Sequence, residues 1–182
     1  LWSELVRRHN DPTDSHHIDL HQFCVIGHQS MAEFDVLRMN FSSLWMLTHA
    51  FRAIKAGWGF QLKSDVTGKL CNKSIDLVAF SVTSIPKRNN TMCLCIIPST
   101  TESEQMYTVV YHELRKAVCL VPSIKHCGDE DCVSCGIIER LLQDPEVSAF
   151  VKSSQCEDCI LPVETLLFVS LFDPEVHVPK RM

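Results

Sequence analysis

The sequence contains no run of 18 uncharged apolar residues, which excludes a membrane-spanning helix. No basic stretch leading into an apolar one opens it, so no secretory signal is expected. Its first residue, Leu1, suggests a cut or incomplete reading frame. Internal repeats and low-complexity tracts are missing, which sets aside solenoids and biased linkers. A basic excess is missing too. The 17 basic side chains are outnumbered by 22 acidic ones, and the net charge of −5 argues against a protein that coats nucleic acid.

What is present is ordinary globular composition. Apolar residues at 46% and charged ones at 21% exclude a disordered chain. A chain of 182 residues suits one domain with an appendage and can bury about two-thirds of its unfolded surface. The charge is split along it. Residues 1–40 carry 3 basic and 6 acidic side chains, residues 41–121 carry 9 and 5, and residues 122–182 carry 5 and 11. The middle can face phosphates and the ends cannot. Five of the ten cysteines fall between positions 127 and 159, which reads as a disulfide cluster or a metal site. Without a secretion signal, metal is the favoured reading.

Residues 1–22 read as a polar segment with a turn at Asp11-Pro12-Thr13-Asp14. His17 and His21 would share a face if this part were helical, a spacing that binds metals, but a solvated linker is the favoured reading. A short strand is expected at 23–26, ended by Gly27. Residues 41–56 predict a helix capped by Ser42 or Ser43, with Leu44, Leu47, Phe51 and Ile54 at helical spacing. Three strands follow, at 60–62 leading into Asp65, at 74–84 and at 91–97. Ser99, Thr100 or Thr101 then caps a helix whose first turn holds Glu102 and Glu104 and whose stripe runs from Met106 to Val118. Strand, strand, strand, helix with short turns predicts an antiparallel meander followed by a helix.

Asp65 ends an apolar strand, with Thr67 and Gly68 behind it. Two-metal phosphoryl chemistry needs such rigidly placed oxygen ligands for hard Mg²⁺ or Mn²⁺. Spacing alone favours the plainer reading, a turn residue that caps the strand. The wording of the sequence adds more. The stretches W-G-F-Q-L-K-S-D-V-T-G-K (58–69), S-I-D-L-V-A-F-S-V-T-S (74–84), C-L-C-I-I-P-S-T-T-E-S-E (93–104) and Y-H-E-L-R-K (111–116) together resemble Mutator-like DNA transposases. Residues 41–56 look like the segment that precedes the first strand in that family. The resemblance covers 41–121. It implies an α/β fold with a ribonuclease H-like mixed sheet, incomplete here, and an ancestral metal-dependent cleavage and transfer of DNA strands. It also implies a nuclear, intracellular protein. By position, Asp65 would be the first metal-binding carboxylate, Glu102 an acidic position at the helix entry, and Asp173, after the apolar run 165–172, the stand-in for the second aspartate. No late glutamate is visible, so the catalytic set is expected to be incomplete. Lys63, Lys69, Lys73, Lys87 and Arg88 surround Asp65 and the hairpin and would offer a weak DNA contact surface.

Cys132-x-x-Cys135, 20 intervening residues, then Cys156-x-x-Cys159 has the spacing of a four-thiolate zinc site. His126 or Cys127 with Cys132, Cys135 and one later cysteine is the alternative ligand set. The intervening 137–151 reads as a helix, and Asp129 and Asp131 suit a metal knuckle. Cys71, Cys93, Cys95 and Cys119 read as buried thiols. The expected organisation is therefore a polar segment with a short strand (1–40), a ribonuclease H-like core (41–121), a zinc-binding insertion (122–160) and a strand-like tail (161–182). Two functions compete: a catalytically incomplete transposase-derived domain that contacts DNA, and a non-catalytic zinc-binding module for a protein partner or self-association. A cysteine hydrolase has little support, since no Gly-flanked cysteine nucleophile stands out with a matching histidine.

Overall fold

The computed structural model describes residues 1–14, 16–31, 36–55, 60–67, 75–84, 91–125, 127, 129–145, 147 and 148. Trp2, Val6 and His9 recur at three- and four-residue spacing and form the buried stripe of the first helix, α1 (Trp2–Asn10). Glu4, Arg7 and Arg8 make the same segment read as polar. The helix is tied down at both ends. The Trp2 indole N–H donates to the Ala117 carbonyl at 2.9 Å, and Asn10 bonds both the Ser123 carbonyl and the Lys125 N–H, each at 2.8 Å.

The chain then builds β1 (Cys24–Met31), β2 (Val36–Ser42), α2 (Leu44–Lys55), β3 (Phe60–Thr67), β4 (Asp76–Ser84), β5 (Thr91–Ser99), α3 (Glu104–Leu120) and α4 (Val133–Gln143). The meander and the helix after it follow the expected order. Ser43 rather than Ser42 caps α2, accepting the Met46 N–H at 3.2 Å. Ser103 caps α3, accepting the Met106 N–H at 3.1 Å, so Glu102 lies just outside that helix. The first strand runs through Gly27 to Met31 with a bulge at Val25 and Gly27.

The five strands lie in the order β1-β2-β5-β4-β3, and every pair is antiparallel. This differs from the expected mixed sheet. A parallel pair requires a crossover connection, and the strand that would supply one, within 161–182, lies outside the described residues. β3, which bears Asp65, is accordingly an edge strand among the described residues.

α2 and α3 touch each other and both pack against the sheet. On their face lie Val78, Phe80, Cys95 and Ile97, all buried. The Phe80 ring meets Tyr107 and Tyr111 edge-on, with centroids 5.9 and 5.0 Å apart. α1 belongs to the same core, since Trp2 and Val6 cluster with Leu44, Leu47, Val110, Leu114 and Val118. The N-terminal segment is thus part of the structural unit it precedes. The opposite face carries the row Asp65, Ala79, Ile96, Phe41 and Val25 across all five strands.

A charged cluster is buried on the helical face. Arg38 is 1% exposed and forks onto the Glu113 carboxylate of α3 at 2.5 and 3.1 Å, while Asn40 donates to the same carboxylate. A Cβ on Gly27 would collide with that carboxylate, so this position in β1 admits only glycine without rearrangement.

Candidate metal centre

Cys127, Cys132 and Cys135 converge between α1 and α4. Cys132 is the residue preceding α4 and Cys135 lies in its first turn. The Gly136 N–H bonds the Cys132 carbonyl at 3.0 Å, and the Cys132 N–H bonds the Asp129 carbonyl at 3.1 Å. This turn folds the loop back so that Cys127 faces the helix N-terminus. Two histidines from the other end of the chain complete the cluster. The ligand atoms of His9, Cys127 and Cys135 lie within 4.8 Å of one another, as do those of His17, Cys127 and Cys132. These residues form a possible metal site.

The spacing between ligand atoms fits zinc. Zn–S and Zn–N distances near 2.3 and 2.05 Å at tetrahedral angles put two sulfurs about 3.8 Å apart and a sulfur and a nitrogen about 3.5 Å apart. The Cys135 and Cys127 sulfurs are 3.6 Å apart, and Cys135 Sγ is 3.5 Å from His9 Nε2. A disulfide would need about 2.05 Å.

The electrostatics divide the thiols. Burial raises Cys127, but the Asp129 N–H and the Cys135 and Cys132 thiols donate to its sulfur and outweigh that, holding it below the usual thiol range. Burial pushes Cys135 up to about 12. Cys127 accepts from the Cys135 thiol, 3.6 Å away, and binding a cation would require these thiols to release their protons. The N-terminus of α4 adds positive potential where the thiolates gather. Burial also lowers His9, against the opposing hydrogen bonds to the Lys125 and His16 backbone.

Cys132 and Cys135, expected as ligands, are brought together, and so is Cys127, the expected alternative. His126, Cys156 and Cys159 lie outside the described residues. Sequence reasoning misses His9 as a member of the cluster and reads His17 as linker. The signal for His9 is its place on the apolar stripe of α1, seven residues after Trp2; burying a histidine there requires a polar partner. Cys95 and Cys119 are buried as expected, Cys93 is half-buried, and Cys71 lies outside the described residues.

Asp65 is exposed and sits two residues before the end of β3. Its neighbour Ser64 pairs with Phe80 and so faces α3, which turns Asp65 to the other face of the sheet. Glu102 is exposed and accepts from the Tyr107 hydroxyl at 2.8 Å, on the α3 side. The two carboxylates thus occupy opposite faces. Among the described residues, no cluster of three potential ligands includes a carboxylate, so these residues do not fit a hard Mg²⁺ or Mn²⁺ pair. Asp173 lies outside the described residues, as do Lys69, Lys73, Lys87, Arg88 and the side chain of Lys63. No described helix is long and apolar enough to cross a membrane. No protein-family model matches the chain, and no curated protein or solved structure does either.

Proposed function

We propose that this chain is a zinc-stabilised, non-catalytic interaction module built on a transposase-derived, ribonuclease H-like core. The observation that carries the reading is the convergence of three cysteines and two histidines across more than a hundred residues of sequence. A cation there ties the N-terminal segment to α4 and closes the polar, acidic knuckle that follows the core. Asp129, Glu130 and Asp131 on that knuckle are exposed, which favours a protein contact or self-association over a grip on phosphates. The Mutator-like ancestry rests on the quoted sequence stretches, and the antiparallel meander capped by a helix is compatible with it. DNA contact through the basic 41–121 segment is the second reading, motivated by its positive charge.

Metal analysis of chain purified from zinc-replete cells tests this. Near-stoichiometric zinc, released by a thiol-modifying reagent, and no Mg²⁺- or Mn²⁺-dependent DNA cleavage are the expected results. Absence of bound zinc would overturn the metal reading. Cleavage abolished by Asp65→Asn would overturn the non-catalytic one.

A further inference from the structure

The two histidines at the centre are not equivalent, and their hydrogen bonds separate them. His9 Nδ1 accepts the Ile18 N–H at 3.3 Å, which leaves no lone pair for a metal on that nitrogen. His9 Nε2 stands 3.2 Å from the Lys125 carbonyl, a place that suits an N–H and would repel a bare lone pair. Both contacts are met by the tautomer with the proton on Nε2, although the His16 backbone also lies against the ring. From there it also points at Cys135 Sγ, 3.5 Å away, a separation that an N–H···S bond and a shared metal would satisfy equally. Distance alone therefore decides nothing, and the tautomer does.

His17 is free of these demands. It is exposed, and its ring stands T-shaped to that of His9 with centroids 6.0 Å apart. The backbone on either side of it is fixed. The His16 N–H bonds Asp14 Oδ1 at 3.0 Å, the Ile18 N–H bonds His9, and the Ile18 carbonyl accepts from the Ser134 hydroxyl of α4 at 2.6 Å. His9 thereby holds the loop that presents His17, and Ser134 pins the same loop beside Cys135.

We infer that one zinc ion is held by His17, Cys127 and Cys132, whose ligand atoms lie within 4.8 Å of one another, with Cys135, 3.6 Å from Cys127, as its fourth ligand, and that His9 is a positioning residue that donates to the Cys135 thiolate and orients the His17 loop. The inference rests on the zinc reading above and deepens it. Such outer partners of a ligand commonly change metal affinity 10- to 100-fold when removed.

The test uses the full chain with Zn²⁺ and with Co²⁺ as a spectroscopic probe. Wild-type chain is expected to give the intense thiolate-to-cobalt charge-transfer band and the visible d–d envelope of a tetrahedral three-sulfur, one-nitrogen site. His17→Ala should lose the nitrogen ligand, shifting the d–d envelope and weakening Zn²⁺ binding by more than 100-fold in a chelator competition. His9→Gln, which keeps an N–H donor, should leave the Co²⁺ spectrum unchanged and bind Zn²⁺ within about tenfold of wild type. His9→Ala should keep the spectral shape with Zn²⁺ binding weakened about 10- to 100-fold. If His9→Gln alters the envelope while His17→Ala leaves it intact, the assignment is reversed and the inference fails. If wild-type chain yields no thiolate–cobalt band, the zinc reading itself fails. Circular dichroism of each variant separates lost folding from lost ligation. Should His9→Ala unfold, the contrast between His9→Gln and His17→Ala still decides which histidine binds the metal.

Discussion

Replacing Glu113 with alanine isolates the energetics of the buried ion pair that docks α3 onto the sheet. The Arg38 guanidinium is 1% exposed and would lose both of its carboxylate contacts, keeping only the Asn40 side-chain oxygen at 3.0 Å. Breaking a buried pair by removing one partner costs about 3–5 kcal/mol. The Glu113 side chain retains 20% exposure, so water can enter the vacated space, and the lower end, about 3 kcal/mol, is expected. For a domain of this size that is a fall in Tm of about 6–12 °C. The pair is not self-sufficient, because Arg38 Nε has no acceptor among the described residues. Replacing both partners with apolar side chains, as in R38M/E113L, should therefore restore stability to within about 1 kcal/mol of wild type. Urea unfolding followed by circular dichroism measures Glu113→Ala, the single changes Arg38→Met and Glu113→Leu, the double change and wild type, with the m-value checking that the unfolded state is unchanged. A coupling near 3 kcal/mol is expected from the cycle. A cost below about 1 kcal/mol for Glu113→Ala, or strictly additive single changes, would refute this account of how the helix is held.

Gly27→Ala should destabilise by about 1–3 kcal/mol, since its Cβ would meet a carboxylate that Arg38 and Asn40 hold in place. The penalty should largely vanish in an E113A background, as paired urea curves would reveal. Alkaline pH should weaken the fold. Burial pushes the Cys24 thiol up to about 11 and raises Cys93 and Cys95 as well, all from an ordinary value of 9. Below pH 9 both states keep these protons. As pH rises through 9 toward 11 only the unfolded state releases them, so stability falls, by on the order of 2 kcal/mol for Cys24 alone. Cys24→Ala should flatten that slope in a series of urea midpoints, and an unchanged slope would count against it. Finally, a chelator should remove the contribution of the bound metal, about 4 kcal/mol for zinc held at a thousandfold over its dissociation constant. A Tm that ignores chelation in wild type, or that still responds to it in Cys135→Ser to the same degree, would contradict the assigned cluster.

Much of the core was legible because its signals are local. The spacing of Leu44, Leu47 and Phe51, the β-branched run of β4 and the apolar stripe of α3 each act within a few residues, and they produced α2, the meander and α3 in order, although the cap of α3 fell on Ser103 and not on Ser99, Thr100 or Thr101. α1 was hidden because its three buried positions are interleaved with Glu4, Arg7 and Arg8, which outweigh them in any count of polarity. Arg38 gave no sign of burial, since a lone arginine in a strand is ordinarily solvated, and only the arrival of Glu113, 75 residues later, makes its burial tolerable.

The metal centre divides the same way. By itself the sequence determined a pair of thiols, because Cys132-x-x-Cys135 brings two sulfurs to one side of a helix start wherever that helix packs. Tertiary structure alone decided the rest of the cluster. His9 and His17 reach it only because Trp2 docks on Ala117 and Asn10 on the 123–125 turn, which brings α1 and its loop against α4. A local pattern can set the bite of two ligands, but the ligands that close the shell are chosen by which distant segments share a core.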